Sequence, residues 1–309
     1  MSKLISIIIP IFNEEKNIPL LFAEIKKTLA SLSRYEFEIF FVNDGSEDES
    51  LVELRKIKEA DGRINIIDFS RNFGKEMATT AGIHSCLGEA CIMLDADLQH
   101  PVEKIADFLA KWEDGGEVII GVRQSNKGEG LVKKIGSYFF YKLINSIADT
   151  KIIPNATDFR LLDRCVIDEF NKLTERNRMT RGLIDWLGFR REFVEFNANP
   201  RINGKATYST IKLIKLAFNS IISLSLFPLK IAGYLGIVIT FLSGCLGIFI
   251  IITRYITGTM YFSGPAILAV IILFLIGIVL ICLGFIALYI ATIHAEVSNR
   301  PMYIIRKRK

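Results

Sequence analysis

Leu4 to Ile11 is an almost unbroken apolar run, and Phe37 to Val42, Ile64 to Phe69, Ala90 to Leu94 and Val118 to Gly121 resemble it. Runs this short, without polar alternation, suit parallel strands buried on both faces. Between them lie helical stretches at Ile18 to Leu32, Leu51 to Ala60, Lys75 to Leu87 and Val102 to Trp112, with Ser46-Glu47-Asp48-Glu49 reading as a capping box before the second. This β-α alternation predicts a doubly wound α/β sheet. Ligands of such sheets sit beyond the carboxyl ends of the strands. The polar clusters fall there: Asn13-Glu14 after the first strand, Asn43-Asp44-Gly45 after the second, Ser70-Arg71-Asn72 after the third and Asp95-Ala96-Asp97 after the fourth.

The pattern changes in the last third. Over Tyr208 to Phe227, Lys212, Lys215, Asn219 and Ser223 recur at helical spacing amid Ile, Leu and Phe, which predicts an amphipathic helix in the headgroup layer. Two uncharged apolar runs follow, Ile231 to Ile252 and Ala266 to Ile290, of 22 and 25 residues. About 20 helical residues cross ~30 Å of hydrocarbon, and neither run has the polar face of a soluble core helix, so the two predict a transmembrane hairpin. The expected organisation is a catalytic domain over 1–207, an interfacial helix over 208–230, a hairpin over 231–290 and a basic tail over 291–309. Leu4 to Phe12 runs directly into Asn13-Glu14-Glu15 without a small-residue cleavage site, so it reads as a strand and not as a signal peptide.

Charge sharpens this division. Half of the chain is apolar and its mean hydropathy is +0.35, which argues against disorder and against a simple soluble globule. The formal net charge is +5, yet residues 1–230 carry 32 basic and 32 acidic groups, so the whole excess lies in the last quarter. That places the basicity on the membrane anchor and gives no reason to expect nucleic acid. Lys212, Lys215 and Lys230 precede the hairpin, and Arg300, Arg306, Lys307, Arg308 and Lys309 follow it, whereas Arg254 alone lies in its turn. The positive-inside rule therefore expects both termini and the catalytic domain on the cytoplasmic side of the plasma (inner) membrane. The five cysteines form an odd set without a CxxC pair and read as reduced thiols. Glycines in both runs, Gly236 and Gly277 among them, would permit close helix packing and a homo-oligomer, although glycine is common in such helices.

Asp95-Ala96-Asp97-Leu98-Gln99-His100-Pro101 carries the strongest chemistry. Two carboxylates two residues apart at a strand end, followed by an amide oxygen, suit a hard divalent cation that can bridge a diphosphate leaving group. The same residues also read as a solvated loop, or with Asp97 capping the next helix. His100 reads as structural, because a cation with these oxygen ligands does not need imidazole.

Taken together, Ile9-Pro10-Ile11-Phe12-Asn13-Glu14-Glu15, Val42-Asn43-Asp44-Gly45-Ser46, Ser70-Arg71-Asn72-Phe73-Gly74-Lys75 and the Asp95–Pro101 motif resemble the inverting GT-A glycosyltransferases of family two. Asp158-Phe159-Arg160-Leu161, Arg201-Ile202-Asn203-Gly204-Lys205 and the C-terminal spans resemble the polyprenyl-phosphate branch, of the bactoprenol glucosyltransferase kind and related to dolichol-phosphate mannose synthases. The resemblance implies a Rossmann-like GT-A domain that uses Mg2+ or Mn2+. Pro10, Asn13, Glu14 and Asp44 would hold the nucleoside, and Arg71 and Lys75 the donor side. Asp95, Asp97 and Gln99 would hold the metal and diphosphate. Arg123, Arg201 and Lys205 would meet the acceptor phosphate, and Asp158 would act as a base or orient the sugar, with an N-cap as its structural alternative. After Gly204-Lys205 the chain reads Ala206-Thr207-Tyr208, where many relatives have a serine and a further lysine.

The implied reaction moves a hexose, by default glucose from UDP-glucose, onto polyprenyl (undecaprenyl) phosphate. N-acetylhexosamine, galactose, mannose or aminoarabinose remain alternatives for the sugar. A phosphate monoester has a second pKa of about 6 and is already a nucleophilic anion near neutrality. The protein's work is therefore to hold two anions together and align them, so that attack opposite the nucleotide inverts the anomer. A transporter would need more spans and intramembrane polar groups. A nucleotide-binding adaptor would tolerate loss of the carboxylate pair, and a processive synthase would carry channel-forming spans and a QxxRW-like motif, which this sequence lacks.

Overall fold

The computed structural model describes residues 2–124, 153, 155–176, 178–197 and 264–306. The expected interfacial stretch 208–230, the first apolar run, Arg201 and Lys205 lie outside the described residues.

β1 (Lys3–Ile11), β2 (Tyr35–Asn43), β3 (Ile64–Asp68), β4 (Ala90–Met93) and β5 (Val118–Arg123) form where the apolar runs predict them. Two further strands, β6 (Ala156–Asp163) and β7 (Arg191–Phe196), complete a seven-stranded sheet in the order β3-β2-β1-β4-β6-β5-β7. β1 to β4 run parallel to one another, but β6 is antiparallel to both β4 and β5, so the sheet is mixed.

β1 shows why both faces are covered. Ile5, Ile7, Ile9 and Ile11 face one core, whereas Ile8 faces the other, as the period of two requires. The first core takes α1 (Ile18–Ala30), α2 (Ser50–Ala60) and α4 (Ile105–Glu113) through Leu21, Leu54 and Phe108. The second takes α3 (Lys75–Ser85), α5 (Arg164–Lys172) and α6 (Thr180–Trp186) through Ala81, Phe170 and Ile184. α3 lies so close to the sheet that a β-carbon on Gly82 would come within 2.2 Å of Ile8 Cγ2.

Several local expectations change. α2 starts at Ser50, and no side chain caps it in the Ser46-to-Glu49 manner; the Ser50 N–H instead donates to Asp48 Oδ1 at 3.0 Å. Asp158 is not an N-cap, because it lies inside β6; the residue that caps the following helix is Asp163, whose side chain accepts from the Cys165 N–H. Cys86 and Cys91 are buried free thiols, while Cys165 is exposed.

The second apolar run falls within one 34-residue helix, α7 (Gly264–Val297). Among the described residues, no helix is long and apolar enough to cross a membrane. The chain divides into two compact units, 1–208 with 300–309, and 209–299.

Candidate active site

The strand ends build an open cleft of about 450 Å3, lined by Pro10 at the end of β1, Phe12 and Glu14 after it, Asp44 after β2, Asn72, Gly74 and Lys75 before and at the start of α3, and Asp95 and Asp97 after β4. Its walls are held by loop-to-loop hydrogen bonds. Asn13 adopts a left-handed φ of 56°, donates its N–H to Ser46 Oγ at 3.0 Å and accepts from the Glu47 N–H at 2.9 Å. The Glu14 carbonyl accepts from the Asn17 and Ile18 N–H groups, and so closes the first turn of α1.

Asp44 is almost wholly buried and accepts from the Phe73 N–H at 2.7 Å and the Gly74 N–H at 2.9 Å, one on each carboxylate oxygen. It thereby shapes the Ser70–Gly74 loop. Burial raises its pKa, partly offset by those two N–H donors and the Arg71 charge. Gly45 is required beside it: its φ is +66°, and a β-carbon there would sit 2.4 Å from the Arg71 carbonyl carbon.

The Asp95–Pro101 turn is strained at a bulky residue, since Leu98 is buried with a φ of 59°. That conformation returns the Gln99 N–H to Asp97 Oδ1 at 3.1 Å. His100 is buried and stacks on Phe159 at 5.2 Å, and its Nδ1 accepts from the Asp95 N–H at 3.3 Å. Burial lowers its pKa, although Asp95 opposes this, so the ring is neutral and structural, as expected.

At the floor, Lys75 Nζ lies 2.6 Å from Asp95 Oδ1 and 2.7 Å from Asp158 Oδ2. Carboxylates 63 positions apart in the chain thus share one ammonium. Behind this trio is a second, much smaller cavity of about 20 Å3, lined also by Glu76, Arg160, Thr180 and Arg181. Burial alone would lower the Lys75 pKa, but the two carboxylates outweigh it and raise the value well above the usual lysine range. For Asp158, burial acts upward, and the Lys75 ammonium with the Arg181 and Arg160 charges brings it down to about 2. Both groups remain charged at any physiological pH.

A pH test follows from the sign of that shift. The folded pKa of Asp158 lies below the ordinary 3.8, so its stabilising contribution is present above about pH 4 and is lost as pH falls through about 2. The parent protein should lose melting temperature over that window more steeply than Asp158→Asn, measured by calorimetry at matched ionic strength. Parallel curves would remove the charge coupling.

Arg160 is the residue the sequence reading left without a role. Its side chain is 1% exposed and pairs with Asp185 of α6 at 2.9 Å, while Nε donates to the Thr157 carbonyl at 3.2 Å. It therefore ties the strand that bears Asp158 to the helix that begins at Thr180. The available signal was a lone arginine between Phe159 and Leu161.

The structure brings Pro10, Glu14, Asp44, Lys75, Asp95 and Asp97 to one cleft and places Asp158 against its floor. Asn13, Gln99 and Arg71 flank it without lining it; the Arg71 guanidinium lies 4.1 Å over the Phe73 ring. Arg123 is the last residue of β5, not a position beyond it, and it lines neither cavity. Among the described residues, no group of three or more His, Cys, Asp and Glu side chains is placed to hold a metal ion. Among the described residues, Asp95 and Asp97, with Gln99 beside them, are oxygen donors that could hold a cation.

A glucosyl-3-phosphoglycerate synthase from Mycobacterium tuberculosis, solved with Mn2+, UDP and phosphoglyceric acid, has the same fold, with a TM-score of 0.50 over 72% of this chain and 77% of that one at 16% identity. The architecture is thus that of a GT-A glycosyltransferase, a Rossmann-like mixed α/β sheet. The glycosyl transferase family 2 model matches residues 6–170. An uncharacterized glycosyltransferase of Synechocystis sp. is 42% identical over 97% of this chain and 94% of its own length. A bactoprenol glucosyl transferase of Shigella phage SfII is 37% identical over 98% and 97%. The chain belongs to glycosyl transferase family 2 and is a glycosyltransferase.

Proposed function

We propose that this enzyme transfers glucose from UDP-glucose to undecaprenyl phosphate at the cytoplasmic face of the membrane, with inversion, giving a lipid-linked sugar for cell-envelope polysaccharide. The observation that carries the acceptor is the extent of the likeness. Relatives named bactoprenol glucosyl transferase align over nearly the whole chain, apolar runs and tail included, and not only over the family domain.

The chemistry of the cleft agrees with this reading. In this reading Glu14 and Asp44 would take the nucleoside and Asp95, Asp97 and Lys75 the diphosphate; all five line the cleft. Two carboxylates suit Mg2+ or Mn2+ when phosphate oxygens and water complete the coordination, and the ion would neutralise the departing diphosphate. Lys75 keeps Asp95 and Asp158 together despite their like charge. Asp158, held anionic, is suited to accept from a sugar hydroxyl and orient the ring; the phosphate nucleophile needs no strong base. A polyprenyl tail cannot leave the bilayer, so its phosphate must be met at headgroup depth, by Arg123, Arg201 and Lys205 in this reading. The uncharged run Ala266 to Ile290 lies inside α7. Exposed Leu268, Ile272, Leu275, Val279, Leu283 and Ile286 form an apolar stripe along it, which favours lipid around this helix.

The test is direct. Purified protein with undecaprenyl phosphate, Mg2+ or Mn2+ and a panel of labelled nucleotide sugars should yield labelled lipid with UDP-glucose. Transfer of another sugar would reassign the donor, and no labelled lipid with any sugar would overturn the reading. Arg201→Ala combined with Lys205→Ala should raise the apparent KM for lipid phosphate by about tenfold or more, as lost charge-assisted bonds would, and spare nucleotide affinity. Equal losses for both substrates would remove these residues from the acceptor side.

A further inference from the structure

β3 is an edge strand, so its outer N–H and C=O groups need cover. The segment that supplies it comes from the far end of the chain. Phe69 and Ile305 form an antiparallel bridge, the Ser70 N–H donates to the Ile304 carbonyl at 2.9 Å, and the Arg306 N–H donates to the Asp68 carbonyl at 2.8 Å. Arg306 Nη2 also donates to the Ser70 carbonyl at 3.1 Å. Tyr303 stacks on Phe69 with ring centroids 5.1 Å apart, and its Oη lies 3.1 Å from His84 Nδ1 on α3.

These contacts bracket one loop. Asp68 to Ser70 lead into it, and α3 leads out of it. Phe69, wholly buried, meets Phe73 edge-on at 5.6 Å. Phe73 and Gly74 donate their N–H groups to Asp44, and Lys75 follows with its two carboxylates. We propose that Arg300–Arg306 is a strap that sets the Ser70–Lys75 loop for the nucleotide sugar, with Tyr303 and Arg306 as positioning residues. The inference rests on the reading of that loop as the donor side. A basic tail held only by membrane lipid would have no use for these directional bonds. An edge cover of purely structural purpose would not distinguish donor from acceptor.

The experiment uses the full chain in lipid nanodiscs and compares the parent with Tyr303→Ala, Tyr303→Phe and Arg306→Ala. Amide exchange over residues 68–75 and the separate KM values for UDP-glucose and undecaprenyl phosphate are read. Tyr303→Ala should speed exchange in that segment by about tenfold or more, as loss of local packing does, and leave α5 unchanged. It should raise the donor KM by about tenfold, roughly the loss of one aromatic contact, and keep the acceptor KM within about twofold. Tyr303→Phe, which keeps the stack, should return the donor KM close to the parent's. Arg306→Ala should shift the donor KM in the same direction, and serves alone if Tyr303→Ala does not fold. Unchanged exchange and donor KM, or equal rises in both KM values, would overturn the strap. If the parent transfers no sugar at all, the proposed function falls, while the exchange comparison still decides whether the strap orders the loop.

Discussion

Asp97→Asn should lower turnover by about a thousandfold or more at saturating donor, the scale expected when charge stabilisation of a leaving group is lost. The substitution is nearly isosteric, and an amide oxygen can still accept from the Gln99 N–H, which lies 3.1 Å from Asp97 Oδ1. The turn should therefore keep its shape, and the variant loses chiefly one negative charge beside Asp95. Asp95 already shares a charge-assisted contact with Lys75 at 2.6 Å. Initial rates across a Mg2+ and a Mn2+ series, with lipid phosphate saturating, would measure it. Retention of more than about a tenth of parental turnover would remove the cation role, since one lost ligand on a two-carboxylate site should cost far more.

Arg160→Ala should cost about 3–5 kcal/mol of stability, because it leaves the Asp185 charge buried without its partner. The side chains of Arg160 and Asp185 are 1% and 9% exposed, so water cannot replace the lost contact cheaply. The guanidinium also serves the Thr157 and Arg181 carbonyls, which would lose donors. A paired replacement, Arg160→Met with Asp185→Leu, should recover most of the stability, since apolar isosteres often match a buried ion pair. It should not recover turnover, because Asp158 would lose the anchored strand that presents it to Lys75. Thermal unfolding of both variants beside their kcat values provides the check. A loss below about 1 kcal/mol for the single variant would place the pair among weakly contributing ion pairs.

Much of the first half of the site was legible because its chemistry sits where a buried apolar strand stops. β1 to β4 each carry a short apolar run, and the polar residues that follow mark the strand ends. The same logic hid β6. Its sequence mixes Thr157, Asp158 and Arg160 with Phe159 and Leu161, so no apolar period marks a central strand, and Asp158 read as well as a helix cap. What permits such residues there is a pair of partners on the same face, the Lys75 ammonium of α3 for Asp158 and the Asp185 carboxylate of α6 for Arg160. Neither partner is near in sequence. β7 offered a weaker signal in the alternation of Val194, Glu195 and Phe196, which half-buried strands show.

The amino-acid order by itself determined the two-sided α/β sheet, the family motifs, the division between charged and uncharged segments and the strand-end stretches that line the cleft, because these depend on local periodicity and on short contiguous groups. Only the tertiary structure decided that Lys75, Asp95 and Asp158 share one point, that Asp44 shapes the loop carrying Lys75, that Arg160 is neutralised from α6, and that residues 300–306 pair with β3. Each of those is a contact between segments far apart along the chain. Coulomb attraction and hydrogen bonding act over a few ångströms in space, and no spacing along the sequence records which distant segments folding will bring that close.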